Sequence, residues 1–267
     1  MHSHPRYLND VIMIMKMKTV RQLRCSQAER NTLSFVSLLA EEGDKLNVGG
    51  EGQRGGLLTG YEDGLNLLQV LAGHPYYDDS ICLDLLKTLR KSQLLKKEDV
   101  TQYYLSYRSC KPVAEERFEY FVDWDPEALN DIQVGGDPFL HTSAAWLCID
   151  SFALALKAGL KYYPEELGFL FQKNDRGKTA FEMACQHYGK DKARRAIEKC
   201  FEEAHNVKMV ERNPATNLYP FMLAAAGETT ELNTVYYLLR RDPLVLEDII
   251  QEKNRDVDVK TKRRRLS

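Results

Sequence analysis

The chain has 267 residues, 43% of them hydrophobic and 28% charged, with a formal net charge of −2. That is enough apolar material for a packed core and too little net charge for a polyanion clamp or a solvating acidic chain. Five positive charges, Lys260, Lys262, Arg263, Arg264 and Arg265, crowd the C-terminal end; taking them from a net of −2 leaves −7, so the body is mildly acidic and the tail basic.

In chain order, the first apolar run is Val11-Ile12-Met13-Ile14-Met15, five residues and too short for a signal-peptide core or a bilayer span. With Arg6, Lys16, Lys18, Arg21 and Arg24 the N-terminal end weakly resembles an organellar transit peptide; a frayed, partly helical N-terminus is the simpler expectation. Six cysteines are spread singly, at 25, 82, 110, 148, 185 and 200, with no Cys-x-x-Cys, so no disulfide framework is expected. Gly43, Gly49, Gly50, Gly52, Gly55, Gly56 and Gly60 mark residues 43–60 as a flexible linker, closing a poorly ordered segment over 1–60. They form no G-x-G-x-x-G and carry no dinucleotide loop.

From 61 to 252 the pattern is helical. Cys82, Leu85, Leu86 and Leu89 recur at helical spacing, with Asp78 or Asp79 to cap them. Ala193, Ala196, Ile197, Cys200, Phe201 and Ala204 form a longer stripe, and Leu232, Val235, Tyr236 and Leu239 a third, behind Thr229 or Thr230. No strand alternation of useful length occurs, so the fold class is all-α. Residues 253–267 are polar and charged, and a disordered basic tail is expected.

The segments repeat. Phe118 to Leu129 aligns with Val235 to Leu246, Asp125-Pro126 falling on Asp242-Pro243 at an offset of 117. Gly136 to Ala144 aligns with Gly177 to Cys185 and then with Asn217 to Ala225, at spacings of 41 and 40. Each unit pairs a short inner helix of small residues (Ala144-Ala145, Ala184-Cys185, Ala224-Ala225-Ala226) with a longer outer helix carrying large ones (Phe118, Phe121 and Val122, or Val235, Leu238 and Leu239). Small side chains let inner helices approach, and Asp-Pro ends the outer helix. One unit cannot bury its own face, so units stack.

Gly177-x-Thr179-x-Phe181-x-x-Ala184-Cys185, the Leu140-His141 pair and Val235-x-x-Leu238-Leu239 resemble the ankyrin repeat, most closely over 136–247. From 61 to 135 only outer-helix residues match, no unit carries a full T-P-L-H, and the period near 40 exceeds the ankyrin 33, with insertions such as Lys161 to Leu167. Other helix-pair arrays of HEAT or armadillo length fit that period too. The expected fold is a helix-pair solenoid of about five degenerate ankyrin-like repeats, with inner helices near 65–72, 100–108, 140–148, 180–188 and 220–227.

Gly177-Lys178-Thr179 resembles the end of a phosphate loop, but Gln172 stands where that loop needs glycine; a turn opening a helix capped by Thr179 is the better reading. Cys148, Cys185, His141 and His187 lack the paired spacing of a zinc site, and the resemblance makes His141 a structural residue bonded to turn backbone. Catalytic, cofactor and metal residues are therefore none. Adjacent aromatics such as Tyr103-Tyr104, Tyr162-Tyr163 and Tyr236-Tyr237 cannot share a helix face, so one of each pair is expected to be more exposed.

The leading functional expectation is a non-enzymatic protein-binding scaffold, monomeric, nuclear or cytoplasmic, with an unknown protein partner and no membrane contact. By family analogy the turn residues Asp137, Arg176, Lys178 and Tyr219 would form the binding surface. Lys260, Lys262, Arg263, Arg264 and Arg265 resemble a nuclear import signal, and Arg264 to Ser267 a basophilic kinase site. Competing classes are a nuclear, nucleic-acid-associated regulator using the tail, and an unrecognised helical enzyme.

Overall fold

A computed structural model describes residues 27–48, 54, 56–61, 64–75, 78–132, 136–204 and, with breaks, 212–254. Among these the chain is mostly helical, with no extended strand. It divides into two compact units, Met1–Phe139 and Leu140–Ser267.

The first unit holds α1 (Gln27–Lys45), α2 (Leu67–Gly73), α3 (Asp79–Lys91), α4 (Glu98–Gln102), α5 (Leu105–Ser109) and α6 (Glu115–Trp124). Asn66 opens α2 with a capping box: its Oδ1 accepts from Gln69 N at 2.9 Å, and Gln69 Oε1 accepts from Asn66 N at 3.0 Å. Asp78 caps α3, accepting from Ile81 N at 3.2 Å. The expected stripe Cys82, Leu85, Leu86 and Leu89 is buried; each such leucine contributes about 2 kcal/mol through lost apolar exposure. Short helix α2 packs against α5, long helix α3 against α6, and α5 against α6. At the end of α6, Asp125 N donates to Phe121 O at 2.9 Å and Pro126–Leu129 turns away, burying Ala128 and Leu129.

Within the glycine-rich stretch, Arg54 and residues 56–60 are not a free linker. Leu57 and Leu58 are completely buried, and α1 packs on α3 with Val36 and Ala40 in the same core. Arg54 grips Asp99 through Nη1 to Oδ2 at 2.5 Å and Nη2 to Oδ1 at 2.8 Å, and donates to Leu94 O at 2.8 Å. Two buried leucines and a forked ion pair anchor this part of the chain, so among the described residues order begins before residue 61. Residues 1–26 and 255–267, with Lys260, Lys262, Arg263, Arg264 and Arg265, lie outside the described residues.

The inner helix expected at 100–108 is broken. Tyr104 adopts φ 54 between α4 and α5, which lets Tyr103 bury at 5% exposure while its carbonyl accepts from Gln69 Nε2 at 3.2 Å. Two later side chains cap the end of α2: Lys111 Nζ donates to Gly73 O at 2.9 Å and Arg117 Nη1 to Leu71 O at 2.7 Å. Arg117 is fully buried, and its Nε meets Asp79 Oδ1 at 2.5 Å. Burial, then the Arg117 and Lys111 charges, hold the His74 imidazole below its ordinary pKa.

The second unit carries most of α7 (Phe139–Trp146), then α8 (Ile149–Tyr162), α9 (Ala180–Tyr188), α10 (Lys190–Glu203), α11 (Pro220–Ala225) and α12 (Leu232–Arg241). Helix α9 packs on α10, α11 on α12, and α8 on α10. The capping scheme returns: His187 Nδ1 donates to Ala144 O at 2.9 Å, and the Tyr188 hydroxyl lies 2.8 Å from Leu147 O and 3.0 Å from Ser143 O, sharing one hydrogen. Residues 161–167, expected as an insertion, join a turn at Pro164–Phe169 that buries Leu167, Gly168 and Phe169 against α8. A Cβ on Gly159 would lie 2.8 Å from Gly168 O and 2.9 Å from Gly168 Cα, so both positions require glycine.

Candidate interaction surface

The turn before α9 is built from Asn174. Its N donates to Lys178 O at 2.9 Å, and its Oδ1 accepts from Arg176 N at 3.1 Å and Lys178 N at 2.9 Å. Gly177 supplies the left-handed residue at φ 75. Thr179 then caps α9: its Oγ1 accepts from Glu182 N at 3.1 Å and its N donates to Glu182 Oε2 at 2.8 Å. Gly177-Lys178-Thr179 is thus a helix-opening turn. The turn before α11 is one residue longer and keeps part of this scheme, with Asn213 N donating to Leu218 O at 2.9 Å, its Oδ1 accepting from Thr216 N at 2.8 Å, and Asn217 left-handed at φ 57.

Antiparallel bridges pair Ile132 with Pro138 and Lys173 with Thr179, both ends shifted by 41 residues. His141, fully buried, bonds to the turn that precedes α9: Nε2 lies 2.9 Å from Gln172 O and 3.1 Å from Lys178 O. Both partners are carbonyls, so Nε2 carries the proton and donates. The histidine is structural.

Of the four predicted turn residues, two are largely covered. Asp137 is 8% exposed and Tyr219 is 4% exposed, the latter stacked on Phe221 with Arg212 over its ring at 4.4 Å. Each immediately precedes or opens a helix whose first turn needs packing, and the position that looked like a tip is a foot. Arg176 is exposed and Lys178 half-buried, with Lys178 Nζ donating to Gln186 Oε1 at 3.2 Å. Sequence reasoning missed Trp146, which ends α7 with 74% of its surface exposed. It also missed a groove between α10 and α12 lined by Arg194, Glu198, Tyr236, Tyr237, Arg240 and Arg241. The signal for the groove was the pairing of Tyr236-Tyr237 with Arg240-Arg241 four residues on, which places each tyrosine beside an arginine.

Cys148 precedes α8 and is exposed. Burial pushes its thiol up, but the Ser151 hydroxyl at 3.3 Å and the Ser151 and Asp150 backbone N–H groups together outweigh it, leaving the thiol below its ordinary pKa. Burial pushes the Cys200 thiol up to about 11. Limited alkylation near neutral pH, read by peptide mass spectrometry, should therefore modify Cys148 well before Cys200; equal rates would contradict this arrangement.

Among the described residues no group of three or more His, Cys, Asp or Glu side chains is placed to hold a metal ion, and no helix is long and apolar enough to cross a membrane. In comparisons with known proteins, no family model, no curated protein and no solved structure matches this chain.

Proposed function

We propose that both units are built from degenerate ankyrin-like helix pairs and that the protein is a non-enzymatic protein-binding module. The observation that carries the reading is the recurring turn. The bridges at 132–138 and 173–179 share a spacing of 41, the Asn174 and Asn213 turns each close on the carbonyl two residues before their helix, and His141 ties its own inner helix to the next turn. Such repeats supply a rigid frame and leave turn tips and helix ends for recognition. Trp146 and Arg176 are exposed members of that set, and tryptophan and arginine are among the side chains most enriched as interface anchors.

The test is affinity capture from native extract with the full chain, against Trp146→Ala and against Arg176→Glu combined with Lys178→Glu. Trp146 and Arg176 are exposed and Lys178 is half-buried with one surface hydrogen bond to Gln186, so Trp146→Ala should melt within about 0.5 kcal/mol of the parent and the double variant within about 1 kcal/mol. A protein retained by the parent and lost with Trp146→Ala supports the module and places its surface. Equal recovery by every variant refutes the surface, and recovery of nothing by folded parent refutes the module.

A further inference from the structure

The groove between α10 and α12 has an open volume of about 470 Å³. Two bonds hold its walls in register: the Tyr237 hydroxyl donates to Glu198 O at 3.3 Å, and Arg241 Nη2 donates to Ala204 O at 3.3 Å. The second bond sets a guanidinium on the C-terminal end of α10, where the helix dipole favours a cation. Arg194 is already matched, with Glu198 Oε1 at 3.2 Å and Asp191 Oδ1 at 3.8 Å. Arg240 and Arg241 are not: among the described residues no carboxylate lies within 4.0 Å of either guanidinium. Tyr236 is 61% exposed with the Arg240 guanidinium 5.7 Å from its ring centre, and burial raises the pKa of the Tyr237 hydroxyl against the opposing Arg241.

Two cations with no carboxylate partner among the described residues, beside two tyrosine rings, call for an anion carried next to an apolar group. On α12 each tyrosine stands one helical turn from its arginine, about 5–6 Å along the surface. An extended peptide places same-side side chains about 6.6 Å apart, so a glutamate and a leucine two positions on span one such pair. Guanidinium forks carboxylate, and the ring takes the aliphatic chain. A nucleic-acid strand fits worse, because Glu198 stands in the groove and the rest of the molecule outside the C-terminal tail carries −7.

We infer that this groove binds an extended acidic–aliphatic segment of a protein partner, with Arg240 and Arg241 forking its carboxylates and Tyr236 packing its apolar side chain. The inference rests on the protein-binding reading above and names the partner chemistry for one of its surfaces.

The probe is a fluorescein-labelled peptide repeating Glu-Ser-Leu-Ser, titrated into the full chain and followed by anisotropy, with the glutamine counterpart and a short oligothymidylate beside it. The glutamate peptide should bind at least about tenfold tighter than the glutamine one, a difference of about 1.4 kcal/mol. Arg240→Glu should remove about tenfold of that affinity without changing the melting curve, because Arg240 is exposed. Alanine at Arg263, Arg264 and Arg265 together should leave binding intact. Binding that survives Arg240→Glu but falls in the tail variant overturns the inference, as does no binding. Preference for oligothymidylate that Arg240→Glu abolishes overturns the peptide assignment. Capture that depends on Trp146 is read separately, so the groove and the module fail independently.

Discussion

Arg117→Ala should destabilise the first unit by about 3 kcal/mol, near the lower end of what removing one partner of a buried ion pair costs. The side chain is fully buried and does three jobs at once. It pairs with Asp79, satisfies Leu71 O near the end of α2, and reaches His74 O at 3.4 Å and Val113 O at 3.3 Å. Its loss leaves carbonyls of a helix end without a donor, and each buried orphan costs about 1–3 kcal/mol. Asp79, 21% exposed, recovers some hydration, which keeps the figure from going higher. Calorimetry should show a midpoint lower by roughly 10 °C. Arg117→Lys keeps the charge but not the fork and should fall between. A loss under about 1 kcal/mol would mean that water reaches these carbonyls.

Gly159→Ala should cost the second unit about 3 kcal/mol, an overpacking penalty at the upper end of the usual range. The new Cβ would face backbone, Gly168 O at 2.8 Å and Gly168 C at 3.2 Å, and backbone cannot swing aside as a side chain can. Gly168→Ala should do at least as much harm. Its Cβ would meet Leu160 N at 2.8 Å, and φ at this residue is +60, which adds about 1 kcal/mol for a side chain. Urea titration read through amide exchange of α8 would measure both, and native-like protection in either variant would show that the turn can detach from the helix without consequence.

Much of the helical order was readable from spacing alone, because a half-buried helix must repeat its apolar residues every three to four positions. Cys82, Leu85, Leu86 and Leu89 declare α3 this way, and Asp125-Pro126 declares where α6 stops. Thr179 with Glu182 declares the start of α9, since a capping box is written in the sequence. What could not be read was long-range. Nothing near Gly55 announces that Arg54 finds Asp99, 45 residues later, or that Leu57 and Leu58 enter the core. Composition alone made the stretch a linker. Tyr104 was hidden for a similar reason: its left-handed turn follows from the burial of its neighbour Tyr103, a tertiary demand that no local propensity records. For the proposed interaction surface, turn position was a poor guide to exposure. Asp137 and Tyr219 sit where the helix begins and are covered, while Trp146 sits where a helix ends and is not.

The clamp on Arg54 has a further consequence for how the chain is cut. A trypsin-like protease must draw an arginine into its own specificity pocket before it can cleave, and here the guanidinium is held between the Asp99 carboxylate and Leu94 O. Cleavage after Arg54 therefore waits for this part of the segment to lift from the core. Its rate reports the opening equilibrium of that corner of the first unit, and a nick there would sever the connection between α1 and the rest of the core on which it packs.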